Sequence, residues 1–299
     1  MMRVPCVQLA FALNVVVCVT VALTVERHAV SPKQDLPSQF DSLLHRLLGE
    51  GTLVGRENAA GVLRNLSLQS NYGTNFEEEG GLEPMCQLAI DQHSNMAGER
   101  ATPQKNRLSA VGALMNLSKH DGLEAKIVKS GGLDSLVGFL KVGTIEGRTL
   151  AAGTIRNLSA QPRLAERIAK SGAIRSLVRC LSRCEDSELA EHAVVALGNL
   201  SAVPRLRRLI LQNGAMLPLL SYIDSDGAEV GRINALKALG HLAWEPKYQQ
   251  LMIDVGAVST IKQQLTRRAS AEIKEAAERT LACLSRGIPA VIRLTWAQG

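Results

Sequence analysis

Aromatic residues are scarce in this chain of 299 residues, which contains four Phe, two Trp and three Tyr. Proteins that bind single-stranded nucleic acid stack bases on aromatic side chains along a strongly basic groove. The net charge of +6 is only mildly basic. The composition therefore argues against a nucleic-acid partner.

Catalytic and metal-binding motifs are also lacking. The sequence has no glycine-rich phosphate loop and no pair of His residues at helical spacing, and its six His are scattered singly. Only Cys180 and Cys184 lie close enough in sequence to share a helix face, and a zinc site needs a second such pair or nearby His. We therefore expect no catalytic residues, no cofactor, no metal site and no small-molecule substrate. Reduced thiols are typical of the cytoplasm or the nucleus.

What the chain does have is a nine-residue phrase that occurs six times. The seventh residues of successive copies are 51, 41, 42, 42 and 42 residues apart. The copies are AAGVLRNLS (Ala59–Ser67), AVGALMNLS (Ala110–Ser118), AAGTIRNLS (Ala151–Ser159), AVVALGNLS (Ala193–Ser201), ALKALGHLA (Ala235–Ala243) and AERTLACLS (Ala277–Ser285). A period of 40 to 47 residues with helical patterning indicates an α-solenoid.

Within the phrase, which we number from 1 to 9, the apolar residues keep helical spacing. Position 1 is always Ala, position 5 is Leu or Ile, and position 8 is always Leu. These positions share one face of a helix. The invariant Ala predicts a close contact between two helices.

A glycine follows position 7 by fifteen residues in five of the repeats, as at Gly131 and Gly172. Glycine ends a helix readily because it adopts the left-handed conformation. Apolar residues four and eight positions before this glycine predict a short helix, and those after it predict a longer one. Each repeat is therefore predicted to contain three helices, the third of which carries the phrase.

Three helices in about 42 residues, with Asn-Leu-Ser near the end of the third, resemble the armadillo repeat. The resemblance extends from about Gln39 to Ser285, and the phrasing is most similar to that of vacuolar and plant-type armadillo scaffolds. It implies an all-α, armadillo-type right-handed α-solenoid of about six three-helix repeats, the first of them incomplete. We expect the solenoid at 38–286, an apolar N-terminal helix or anchor plus linker at 1–37, and a C-terminal extension or cap at 287–299.

The apolar stretch Val7–Val25 contains no charged residue. It fits a membrane anchor, a signal peptide or a buried helix of the incomplete first repeat. Asn65, Asn116, Asn157 and Asn199 each begin a glycosylation sequon within a predicted helix, where a glycan would obstruct packing. We therefore expect a cytoplasmic or nuclear protein, with membrane association as the alternative.

The armadillo resemblance also implies a binding site. In armadillo proteins the third helices line a concave groove, and a row of Asn residues binds the backbone of an extended peptide. The matching residues here are Asn65, Asn116, Asn157 and Asn199. The alternative is that each amide bonds a neighbouring backbone carbonyl and only holds the repeats together.

At position 3 of the phrase, the residue types of this chain differ from those of importin-α. Importin-α carries Trp there, whereas this chain has Gly61, Gly112, Gly153, Val195, Lys237 and Arg279. The glycines predict a bare, shallow surface. We therefore expect a groove that is small and polar in the first four repeats and basic in the last two, where Lys237, His241 and Arg279 lie.

Two further segments stand out from the repeat pattern. The step of 51 residues is longer than the other steps of 41 or 42 residues. We attribute the extra length to Asp91–Gln104, which we interpret as an inserted surface loop. Ser270 follows Arg267-Arg268-Ala269, so it is a candidate phosphorylation site, and it is also placed to cap the last long helix.

These features together favour a non-enzymatic scaffold or adaptor that binds protein or peptide segments along the third-helix groove. Two alternatives remain: a scaffold tethered to a membrane through Val7–Val25, and a regulatory segment of a larger ligase or kinase assembly.

Overall fold

A computed structural model describes residues 53–68, 81–90, 104–183, 185–225, 227–266 and 269–286. The segment Val7–Val25, most of the insertion Asp91–Gln104 and the tail 287–299 lie outside the described residues. The division of the chain at residues 38 and 286 therefore stays a prediction. Among the helices in the described ranges, none has both the length and the apolar content needed to cross a membrane.

Every regular element in the described ranges is helical. In chain order the α-helices are α1 (Leu53–Leu66), α2 (Leu82–Ile90), α3 (Gln104–Leu117), α4 (Leu123–Lys129), α5 (Gly132–Val142), α6 (Ile145–Ser159), α7 (Ala165–Lys170), α8 (Ala173–Arg183), α9 (Ser187–Ser201), α10 (Pro204–Gln212), α11 (Met216–Asp224), α12 (Glu229–Leu242), α13 (Pro246–Asp254), α14 (Ala257–Thr266) and α15 (Ala271–Ser285). One short 3-10 helix, Pro162–Leu164, precedes α7.

These helices fall into the predicted repeats. The third helix of each repeat carries the phrase, and these helices are α1, α3, α6, α9, α12 and α15. Each of the last four repeats has three described helices. They are α4, α5 and α6 in the third repeat, α7, α8 and α9 in the fourth, α10, α11 and α12 in the fifth, and α13, α14 and α15 in the sixth. The 3-10 helix precedes α7 in the fourth repeat. The predicted all-α solenoid of about six three-helix repeats is thus confirmed.

The turn between the first and second helices is made by glycine, as predicted. Gly131, Gly172, Gly214 and Gly256 have φ angles of 82°, 82°, 78° and 81°. This left-handed conformation strains any residue that carries a Cβ atom. The recurring glycine therefore sets the angle at which the second helix leaves the first.

Three of the third helices, α6, α9 and α15, begin at side-chain caps that hold free backbone N–H groups. The hydroxyl of Thr144 accepts from Gly147 N at 3.2 Å, and the carboxylate of Asp186 accepts from Leu189 N at 2.8 Å. Ser270 caps α15 in the same way, which confirms that part of its prediction. The helix α12 begins without a side-chain cap.

Consecutive third helices pack directly on one another, from α1 against α3 to α12 against α15. Position 1 of the phrase is buried in every repeat, because all six Ala side chains are at most 1% exposed. A larger side chain has no free space at such a position. This burial agrees with the close helix contact predicted from the invariant Ala, and the identity of the helix that each Ala meets stays a prediction.

We expect Ala193→Phe to lower the free energy of unfolding by roughly 1–3 kcal/mol, because a ring overpacks a fully buried contact. Urea denaturation of the full chain followed by circular dichroism measures this. Ala282→Phe is the matched control, since Ala282 is exposed on α15, and it should change the value by less than about 0.5 kcal/mol. An equal loss in both variants would contradict the packing role.

Candidate partner-binding groove

The stacked third helices place positions 3, 6 and 7 of the phrase, and the residue after it, on one surface, which we call the groove. At its N-terminal end a cavity of about 480 Å³ opens between α1, α3 and α6. Its lining residues are Gly61, Arg64, Asn65, Leu68, Ser109, Gly112, Asn116 and Leu150. Two of the Asn residues singled out from the sequence thus line the same cavity.

The amide of Asn116 also holds two repeats together. Its Nδ2 donates to the carbonyl oxygen of Arg64 at 3.2 Å and to Oγ of Ser67 at 3.1 Å, both in the preceding repeat. The next two junctions repeat the pattern: Asn157 Nδ2 lies 3.5 Å from Met115 O and 2.9 Å from Ser118 Oγ, and Asn199 Nδ2 lies 3.4 Å from Arg156 O and 3.0 Å from Ser159 Oγ. We call this arrangement the Asn–Ser clasp.

The serine at position 9 has a defined role in the clasp. Ser67 donates its hydroxyl hydrogen to Arg64 O at 2.7 Å, and Ser118 and Ser159 donate to the equivalent carbonyls of their own helices. A hydroxyl has one hydrogen, so each serine oxygen is left to accept from the amide of the next repeat. The clasp therefore needs both residues of the Asn-Leu-Ser phrase.

The clasp decides which part of each amide is available in the groove. Both hydrogens of Asn116, Asn157 and Asn199 point to the preceding repeat, so the donors of these amides serve to hold the repeats together. The carbonyl Oδ1 has no partner among the described residues and remains an acceptor. Asn65 differs, because it is exposed and its whole side chain lacks a hydrogen bond to any described residue.

His241 takes the place of Asn in the fifth repeat and keeps the same contact. Its Nδ1 lies 2.9 Å from Oγ of Ser201, while that hydroxyl donates to Gly198 O at 2.7 Å. Since the serine hydrogen is used, Nδ1 carries the ring hydrogen and donates, as the amide does elsewhere. Burial and the charges of Arg207 and Lys237 lower the pKa of His241, which favours this neutral ring.

At the last junction, where the phrase lacks both Asn and the preceding Ser, other side chains make the contacts. The hydroxyl of Thr280 lies 2.9 Å from Leu236 O across the junction and 2.8 Å from Ala276 O of its own helix. The buried amide of Gln249 donates to Ala243 O at 2.6 Å and to Cys283 O at 3.3 Å. The inter-repeat hydrogen bonds are thus retained although the phrase changes.

The bare surface predicted at position 3 is found at Gly61, where no neighbouring atom lies within 4 Å of the point that a Cβ atom would occupy. The prediction was wrong at Gly112 and Gly153. The side chain of Arg64 covers Gly112, and Met115 and His192 cover Gly153. The sequence pattern did not reveal that these glycines are covered. Arg64 and Met115 occupy position 6 of the preceding repeat, and their side chains reach across the junction.

In the middle of the groove, the side chain of Arg156 reaches across the junction to the next repeat. Its guanidinium lies 3.1 Å from Nδ1 of His192 and 3.5 Å from Glu191, both in the next repeat. A guanidinium can only donate, so Nδ1 accepts and the neutral ring carries its hydrogen on Nε2, 3.5 Å from Glu188. Burial first and then the Arg156 charge lower the pKa of His192.

The last two repeats present the basic residues expected from the sequence, since Lys237 and Arg279 are exposed. Three neighbours were not predicted: Arg207, Trp244 and Arg286. Trp244 and Arg286 each follow the phrase directly, and a comparison of the residue after position 9 between repeats would have found them. Arg207 belongs to α10 and is held by a hydrogen bond from its Nε to Ser201 O at 3.1 Å.

Two of the described thiols, those of Cys86 and Cys180, are buried in the core. Burial and the charge of Glu83 raise the pKa of the Cys86 thiol to about 12, and burial raises the pKa of Cys180. Because the thiolate is the nucleophilic form, neither residue is suited to react at neutral pH. In the described part of the chain, no group of three or more His, Cys, Asp or Glu side chains is placed to hold a metal ion.

Comparisons with known proteins agree with this geometry. A family model described as the Armadillo/beta-catenin-like repeat matches residues 161–202, which span the fourth repeat from the 3-10 helix through α9. No curated protein was found to match the chain in sequence.

Several solved structures with the same fold are designed proteins. A designed armadillo repeat protein has 21% identity and a TM-score of 0.70 over 81% of this chain and 99% of that one. Computationally designed armadillo repeat proteins for modular peptide recognition give 21% identity and a TM-score of 0.72 over 81% and 98%. A designed armadillo repeat protein in complex with the peptide (KR)4 gives 20% and 0.69 over 81% and 98%. At these identities the likeness shows the fold alone.

We expect Asn157→Ala to destabilise the chain more than Asn65→Ala, because Asn157 forms a clasp and Asn65 forms none with the described residues. Both replacements occur at position 7, so their effects on helix propensity are matched. In a double-mutant cycle, Asn157→Ala and Ser118→Ala should couple by about 0.5–1.5 kcal/mol in urea denaturation. Additive effects of the two changes would show that the clasp contributes nothing to stability.

We expect the free energy of unfolding to fall as the pH is lowered through about 6.5. His192 and His241 have lowered pKa values in the folded chain. The unfolded chain therefore binds more protons below that pH, and their uptake favours unfolding. Urea denaturation at a series of pH values measures this dependence.

The variant His241→Asn tests the assignment, because an amide makes the same bond to Ser201 without titrating. Its stability should resemble that of the wild type at pH 7.5 and should depend less on pH. A pH dependence identical to that of the wild type would rule out His241 as a contributor.

Proposed function

We propose that this chain, which has the armadillo repeat fold and matches an armadillo repeat model over residues 161–202, is a non-enzymatic scaffold that binds extended polypeptide segments of partner proteins along the groove. The observation that carries the proposal is the row of Asn Oδ1 acceptors left open by the clasps of Asn116, Asn157 and Asn199. An acceptor in a fixed position suits a partner's backbone N–H group. The amides would thus hold the repeats together and bind the partner at the same time.

The spacing of these acceptors fits an extended segment. Neighbouring packed helices lie about 8–10 Å apart, and an extended chain advances about 3.3 Å per residue. One acceptor would therefore meet every third residue of the partner. A helix rises only about 1.5 Å per residue, and its N–H groups are used internally, so it cannot use such a row.

The cavity at the N-terminal end supplies a place for a partner side chain. Gly61 forms an open part of its floor, and Arg64 and Asn65 provide donors at its edge. Within the described residues Arg64 makes no ion pair, so its guanidinium is available to a carboxylate or a backbone carbonyl. The proposal assigns this cavity to one side chain of the bound segment.

Two further observations support the proposal. One of the designed proteins that share this fold was solved with a bound peptide. The free thiols of Cys86, Cys180 and Cys283 support a location in the cytoplasm or the nucleus, which is part of the proposal.

Peptide display against the purified full chain tests the function. Selected peptides should bind the wild type and Gly61→Ala in fluorescence anisotropy, and those that use the cavity should lose at least tenfold in affinity with Gly61→Leu. Both variants should fold, because no atom lies within 4 Å of the added Cβ and glycine is the less favourable residue in a helix interior.

Two outcomes would overturn the proposal. One is a display experiment that yields no binding peptide. The other is a set of selected peptides that bind Gly61→Leu and the combined variant Asn116→Ala, Asn157→Ala and Asn199→Ala as tightly as they bind the wild type. Circular dichroism of each variant confirms that the chain is folded under the conditions of the assay.

A further inference from the structure

The C-terminal end of the groove carries a cluster of cations around an exposed indole ring, which we call the basic face. Lys237, His241 and Trp244 follow one another along α12 and the turn after it, and Arg279, Cys283 and Arg286 occupy the equivalent positions of the last repeat. The same positions of the first repeat hold Gly61, Asn65 and Leu68, all of which line the N-terminal cavity. The basic face is therefore a continuation of the groove surface.

Three of the four cations of the basic face have no acid partner among the described residues: Lys237, Arg207 and Arg286. The fourth, Arg279, pairs with Glu275 of its own helix. Several cations in the middle of the solenoid instead pair across repeats. Examples are Arg148 with Glu185, Arg156 with Glu191 and Arg205 with Glu166.

Trp244 adds an exposed apolar surface beside Arg286. Its side chain is 61% exposed, and the guanidinium carbon of Arg286 lies 5.5 Å from the centroid of one of its rings. Exposed Trp and Arg side chains are the residue types that dominate binding energy in protein interfaces. The pair offers an apolar face to a partner side chain and a cation to an acid beside it.

Arg207 is oriented toward this region by its surroundings. Its Nε donates to the backbone oxygen of Ser201. The hydroxyl of the same serine accepts from His241. This bond leaves the two terminal nitrogens of the guanidinium for a partner. Arg207 also contributes, after burial, to the lowered pKa of His241, which is consistent with a region of unbalanced positive charge.

We propose that the basic face binds an acidic segment of a partner protein that also carries an apolar side chain. The inference rests on the proposed function, because it names the chemistry of the segment bound at this end of the groove. Carboxylates of the segment pair with Lys237, Arg207 and Arg279, and its apolar side chain packs on Trp244. Charge complementarity is the reason for choosing an acidic partner.

The geometry also predicts the spacing of the acids. Lys237 and Arg279 occupy equivalent positions on adjacent third helices, which lie about 8–10 Å apart. An extended segment covers that distance in about three residues. The recognised pattern is therefore two acidic residues three apart with an apolar residue next to one of them.

Nucleic acid is the less suitable partner for this face. Binding of single strands relies on several aromatic side chains that stack successive bases, and Trp244 is the one exposed aromatic among the residues that define the basic face. Glu275 and Glu278 lie exposed on α15 beside the cations, where they would repel a continuous row of phosphates. A peptide places its acids at chosen positions and avoids this repulsion.

The test uses the purified full chain and a fluorescein-labelled peptide library of about twelve residues. Glu is fixed at two positions three apart, and Leu or Trp is fixed beside one of them. A second library replaces both Glu by Lys. We expect the Glu library to bind at least tenfold more tightly than the Lys library in fluorescence anisotropy, and we expect salt to weaken that binding.

Matched variants identify the surface. Lys237→Glu should weaken binding of the Glu library at least tenfold, whereas Lys141→Glu makes the same charge change at an exposed residue of α5 and should leave binding within about twofold. Trp244→Ala should also weaken binding. Leu217→Ala is its control, since Leu217 is likewise 61% exposed but lies on α11.

Three results would overturn the inference: equal binding of the two libraries, no effect of Lys237→Glu, or equal effects of Lys237→Glu and Lys141→Glu. Binding of labelled oligouridylate that is lost with Lys237→Glu would assign the face to nucleic acid instead. If display peptides remain sensitive to Gly61→Leu while the Glu library fails to bind, only this inference fails. If no peptide of either kind binds the groove, the proposed function fails with it.

Discussion

The contact between successive third helices is the constraint on which the rest of this structure depends. The third helices pack directly on one another, and hydrogen bonds from the next repeat fix how far each helix slides along its neighbour. Because the phrase recurs in the same register, equivalent side chains meet at each junction. Any binding surface on these helices inherits its spacing from this contact.

The Asn–Ser clasp links the packing of the repeats to the recognition that we propose. In an isolated helix an amide at position 7 would be free to turn in any direction, but the serine of the preceding repeat fixes its hydrogens and therefore the direction of its oxygen. The proposed partner would meet a row of acceptors that are already ordered, so little side-chain entropy would be lost on binding. His241 keeps the contact with a group that titrates, and Gln249 and Thr280 keep the last junction together without the phrase.

The two ends of the groove differ for the same structural reason. In the early repeats long side chains at position 6, such as Arg64, Met115 and Arg156, reach across the junction toward the next helix. In the later repeats position 6 is Gly198, Gly240 or Ala282, so nothing reaches across. Lys237 and Arg279 at position 3 are consequently exposed, whereas Arg64 and Arg156 of the early repeats lie across the junctions.

The sequence by itself determined the number of repeats, the three helices in each, the glycine turns and the buried Ala positions, because each of these follows from spacing along one chain. Only the tertiary structure decided what the Asn hydrogens bond, which glycines remain open, that Arg207 lies near His241, and that Arg286 lies over Trp244. These facts depend on side chains about forty residues apart in sequence that meet across a junction. A periodic pattern shows that the residues recur, but the direction of each side chain is set by the neighbour it meets.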